Sequence, residues 1–111
     1  MTKVDKYAIL RRLPKVALRR IDPVKCDAWE GGTIRACPLG QALGMEKSQD
    51  GGYPRAERVA HLLLDEHPRW GKGIPYATLR AEAQAFLHAW DGQQDMTRNG
   101  LSHVLKRLLA R

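Results

Sequence analysis

The sequence predicts a mainly α-helical protein, a single compact bundle of about five helices with a small β-hairpin near residues 24–37. Three observations predict it. Apolar residues recur three and four positions apart over several stretches, the period of a helix with one buried face. Pro and Gly punctuate the chain between those stretches, where helices begin and end. Its 111 residues, 43% of them hydrophobic and spread along the whole length, suffice for one core without metal or disulfide staples. One domain is expected over 1–111: a basic N-terminal helical segment, 3–21, followed by a hairpin plus helical core, 24–111.

Taken in order, a first helix is expected from Val4 to Arg12, with Pro14 restarting or kinking it through to Ile21. Its inner stripe reads Ile9, Leu13, Val16, Ala17 and Ile21, leaving the arginines toward the flanks and the open side. Asp22-Pro23 ends the segment, because a residue before proline is pushed out of helical geometry. The run from Val24 to Cys37 contains Gly31-Gly32, which suits a two-residue hairpin turn. In that register Trp29, Ile34 and Ala36 share one face, and Cys26 lies opposite Cys37 within disulfide reach, although a reducing cytoplasm argues against the bond. Pro38 then opens a short helix ending near Gly44, and residues 47–53 read as a loop. Pro54 opens a helix to about His67 with Ala56, Val59, Ala60, Leu62 and Leu63 inward, stopped by Pro68. Residues 69–75 read as a second loop. Thr78 to Trp90 is the clearest amphipathic helix, with Leu79, Ala83, Phe86, Leu87 and Trp90 on one side. The last helix starts at Thr97 or Asn99 and runs to Leu109, with Leu101, Val104, Leu105, Leu108 and Leu109 inward.

The motif Cys37-Pro-Leu-Gly40-Gln-Ala-Leu43, then Phe86-Leu-His-Ala-Trp90-Asp91, a turn with Thr97 and a Leu-rich closing helix resembles a pattern in small bacterial and phage helical proteins. The resemblance covers about the last two thirds of the chain. It implies one compact helical unit and carries no activity with it.

No stretch approaches the 18 or more apolar residues of a membrane span, and Asp5, Lys6, Arg11 and Arg12 interrupt any apolar signal region. A cytoplasmic protein is therefore expected, one that does not engage membranes. Its formal charge of +7 is unevenly spread. Residues 1–25 hold eight Lys and Arg against Asp5 and Asp22, and the segment from Arg98 onward adds Arg98, Lys106, Arg107 and Arg111 with no acid. The stretch between is net acidic. A field clustered in this way attracts a phosphate backbone, anionic lipid or an acidic protein face, although a solvated basic surface is equally common.

Enzymatic chemistry finds little support, and no cofactor or metal is expected. Cys37 at a helix start is a thiol whose acidity the dipole would raise, but no local motif brings His61, His67, His88 or His103 to it as a base. The cysteines and histidines lack zinc-ligand spacing, and Gly71-Lys72-Gly73 lacks the rest of a phosphate loop. Glu57 and His61, four apart, suit a surface hydrogen bond on a helix.

Two features stand out as sites. Arg11, Arg12, Lys15, Arg19 and Arg20 could track a phosphate backbone. Arg69, Trp70 and Lys72, followed by Tyr76, interleave aromatic rings with cations, a pattern on which bases stack; the competing account has Trp70 and Tyr76 stapling the loop to the core. No helix-turn-helix spacing is present, which argues against a sequence-specific DNA reader. The expectation is a small non-enzymatic binding protein, a nucleic-acid-binding accessory protein acting through its basic terminal helices. The alternative is a protein-binding inhibitor or adaptor, of the phage anti-defence or regulatory kind, meeting an acidic surface on a larger complex.

Overall fold

The structure, a computed structural model, describes residues 4–24, 37–44, 55–92 and 97–111. Among them are seven helices and no strand: α1 (Ala8–Arg12), α2 (Lys15–Leu18), α3 (Pro38–Ala42), α4 (Ala56–Asp65), α5 (Pro68–Gly71), α6 (Tyr76–Gly92) and α7 (Arg98–Leu109). The mainly helical expectation holds. The expected hairpin, with Trp29, Ile34 and the Cys26–Cys37 pairing, lies outside the described residues except for Cys37 itself, which is buried just before α3.

The count exceeds five because two prolines start helices that patterning merges or omits. Leu13 and Pro14 are both extended, with ψ 143° and 161°, so α1 and α2 are separate elements. That break resets the helical phase. Ile9, Leu13, Ala17 and Ile21 are buried as expected, but Val16 is 54% exposed and Leu10 and Leu18 are buried in its stead. The expected start at Val4 is also shortened. Asp5 accepts a hydrogen bond from the Tyr7 N–H at 2.7 Å, a side-chain turn that competes with helix until Ala8. Pro68 ends α4 as predicted, yet it also occupies the first turn of α5, where its missing N–H costs nothing. The expected loop at 69–75 is thus partly helical.

α6 is the central element, packed against α4 and α1, while α5 leans on α4 and α2 on α7. Leu79, Ala83 and Phe86 are fully buried, and Trp90 lies with its ring parallel to Phe86 at 6.5 Å between centroids. Burying each such large side chain contributes roughly 1.5–3 kcal/mol, which outweighs the weak propensities of the shorter helices. Ala56, Val59, Ala60, Leu62 and Leu63 of α4 meet this face, and Leu101, Leu105 and Leu108 of α7 complete the same buried cluster. Two glycines serve the connections. Gly44 ends α3 with φ +71°, the left-handed geometry glycine adopts without strain. A Cβ on Gly71 would stand 3.0 Å from the Leu63 carbonyl oxygen, so α5 can sit this close to α4 only with glycine there.

Thr97 caps α7, its hydroxyl oxygen accepting from the Gly100 N–H at 3.1 Å. Lys106 and Arg107 in the last turn complement the negative end of the helix dipole.

Candidate nucleic-acid interface

The structure divides the five N-terminal cations by partner. Arg12 reaches from α1 to α6, its Nε donating to both carboxylate oxygens of Glu82 at 2.7 and 2.5 Å. The Glu82 side chain is only 6% exposed, so this carboxylate needs the guanidinium beside it. The hydrogen bond to Glu82 holds the Arg12 guanidinium above its ordinary pKa. Arg12 therefore ties α1 to α6.

Arg11, half exposed, pairs with Asp5 at 2.5 Å. The Tyr7 N–H, and then Arg11, hold the Asp5 carboxyl below the usual aspartate range. Arg20 donates to the Ala42 carbonyl at 3.3 Å, and the Asp22 N–H donates to Gln41 Oε1 at 2.8 Å, so the exit of α2 is fastened to the end of α3. Arg19 is exposed and has no partner among the described residues.

Lys15 does something the sequence conceals. Its Nζ donates to the carbonyl oxygen of Arg111, while Arg111 Nη1 donates to the Arg11 carbonyl at 3.5 Å and its Nε to that of Leu108 at 3.1 Å. The two basic stretches, nearly a hundred residues apart, thereby meet in space. Neither α2 nor α7 carries an acidic residue. The surface they build includes Lys106 and Arg107, both exposed and without a partner among the described residues. Sequence reasoning counted these two in the charge but did not place them in the site. A signal was available in the absence of any acid from Arg98 onward.

The second candidate falls elsewhere, on α5 against α4. Trp70 is half-buried, packed against the core and stacked on His67 with ring centroids 4.0 Å apart and planes 6° from parallel. Tyr76 leans on His61 at 4.9 Å. Both rings are partly buried and packed against the core, as the stapling account expects, while Arg69 and Lys72 are exposed. Glu57 does not bond His61 as expected. It pairs across to α6 with Arg80 at 2.7 Å. Its own backbone N–H, then Arg80, lower its carboxyl from the ordinary value.

An open groove of about 420 Å³ between residues 4–8 and the first turns of α6 is walled by Ala8, Ala77 and Ala81. The acids at its edge, Asp5 and Glu82, are those that hold Arg11 and Arg12, and none of the predicted site residues lines it. Among the described residues no three His, Cys, Asp or Glu cluster as metal ligands, and no helix is long and apolar enough to cross a membrane. No family model, curated protein or solved structure matches the chain.

Proposed function

We propose that this chain is a small, non-enzymatic nucleic-acid-binding accessory protein of the cytoplasm, acting through the basic face built from α2, α7 and Arg111. One observation carries the reading: Lys15 and Arg11 join Arg111, so that the two positively charged stretches form one surface with no acid on either helix. Bringing like charges together is unfavourable unless a polyanion or solvent counterions neutralise them, and a phosphate backbone releases those counterions on binding. The resemblance to small bacterial and phage helical proteins is part of the same proposal and assigns it no chemistry.

The test is a salt titration of fluorescent single-stranded DNA, duplex DNA and RNA against the protein. With about five phosphates neutralised, the log–log slope of affinity against salt is expected near −4 to −5. Replacing Arg19, Lys106 and Arg107 together by Ala removes exposed cations and leaves the ties of Arg12 and Arg20 intact. Binding lost in that variant supports the proposal. Absence of binding even at low salt overturns it.

A second reading rests on Val16, 54% exposed between Lys15 and the Arg19–Arg20 pair. An apolar side chain ringed by cations suits an acidic protein surface with a small hydrophobic pocket, as for an inhibitor or adaptor acting on a larger complex. Val16→Ser leaves nucleic-acid binding unchanged and weakens that protein contact.

A further inference from the structure

α7 presents a stripe to solvent that the charge argument alone does not use. With Leu101, Leu105 and Leu108 buried, the opposite side carries Asn99, His103, Lys106 and, just past the helix end, Ala110, all exposed, with Arg107 beside them. None of Asn99, His103, Lys106 and Arg107 has a partner among the described residues. The positions follow the 4-3-4 spacing of one helix face and span about 16 Å at 1.5 Å per residue, the length of roughly five stacked base pairs. A helix of about 10–12 Å diameter matches a B-form major groove about 12 Å wide. The side chains also differ from a plain basic stripe. Asn pairs bidentately with adenine and Arg with guanine, His offers a ring donor, and the small Ala110 lets the backbone approach. α2 lies beside α7 and adds Arg19 as a flanking cation, an arrangement that sequence spacing hides because some eighty residues separate the two helices.

We infer that α7 enters the major groove of duplex DNA, with Asn99, His103 and Arg107 facing base edges while Arg19 contacts the flanking backbone. The inference rests on the nucleic-acid reading above and narrows it to one class of ligand, a B-form duplex. A-form RNA has a major groove too deep and narrow for a helix to read, and a single strand has none.

Fluorescence anisotropy of the full chain against a DNA duplex, an RNA duplex of the same sequence and the single strand tests it at physiological salt. The DNA duplex is expected to bind at least about tenfold tighter than the RNA duplex. Asn99→Ala combined with His103→Ala should weaken the DNA duplex about tenfold or more, as loss of base contacts does, and leave the single strand unaffected. Both positions are exposed, so helical circular dichroism should be unchanged. A duplex with bulky C5 substituents on its pyrimidines, which fill the major groove, should lose binding even in the unaltered protein. Equal affinity for DNA and RNA duplexes, or undiminished binding to the substituted duplex, overturns the groove inference while leaving salt-dependent binding in place. Failure of every nucleic acid to bind overturns both.

Discussion

Arg12 and Arg107 carry the same guanidinium, yet one donates twice to a nearly buried carboxylate and the other is exposed with no described partner. The contrast extends to their regions. On α1 and at the end of α2, Arg11, Arg12 and Arg20 hold the chain to itself. On α7, Lys106 and Arg107 are exposed and have no partner among the described residues. Net charge treats the two regions alike, but a guanidinium already bonded to a carboxylate offers a phosphate little. Which cations stay unengaged is thus set by where acids and carbonyls stand in three dimensions.

The largest expected effect breaks the first region. Arg12→Ala should cost about 2–3 kcal/mol, below the roughly 3–5 kcal/mol of a fully buried pair because the Arg12 side chain is 35% exposed. Urea unfolding measures this, and a double-mutant cycle with Glu82→Ala should return a coupling above about 1 kcal/mol. If Arg12→Ala falls within the roughly 0.5 kcal/mol of an ordinary surface change, the contrast between the regions collapses.

Next in size is the frame that holds α7. Thr97→Ala removes the cap and should cost about 1 kcal/mol, lowering the thermal midpoint by roughly 4 °C, whereas Thr97→Ser should restore most of it.

A smaller effect concerns acid. The Asp5 carboxyl titrates below its ordinary value of 3.8 in the folded chain, so its contribution is present above the unfolded pKa and lost as pH falls through the lower folded one. Stability should decline below about pH 4, and Asp5→Asn should flatten that part of the curve by less than about 1 kcal/mol, since the carboxyl is 48% exposed. A curve with identical acid limbs for both proteins would remove Asp5 from the account.

The smallest effect on stability is also the sharpest test of the second region. Arg19→Ala and Arg107→Ala should each change unfolding by no more than about 0.5 kcal/mol; Arg19→Ala should still reduce the salt slope of nucleic-acid binding by about 1, and Arg107→Ala should weaken duplex DNA by about 1–3 kcal/mol. A variant that unfolds the protein places its arginine with Arg12 instead.

The helices with a long, regular apolar stripe were legible in the sequence. Leu79, Ala83, Phe86, Leu87 and Trp90 are buried as their spacing indicates, because α6 is long enough for one face to decide its position. The short elements were not. The four residues of α5 carry no periodic signal, and Pro68 reads equally as a stop and a start. Val16 was assigned inward because a proline that restarts a helix does not announce the rotation it introduces. In the candidate site, residue types were legible and partners were not. Nothing local to Arg12 points to Glu82, seventy positions on, or local to Lys15 to Arg111. For the aromatic–basic loop the sequence left open both a stacking platform and a staple, and nothing in its spacing points to the stack of His67 on Trp70.

The pairing of α2 with α7 bears on how the protein is born. A ribosome completes α2 early and α7 only some eighty residues later, roughly 4–16 s at 5–20 residues per second. Throughout that interval Lys15 and Arg19 belong to a nascent fragment without its companion helix. The assembled surface exists only once α7 has been made, has left the ribosome and has packed against α2.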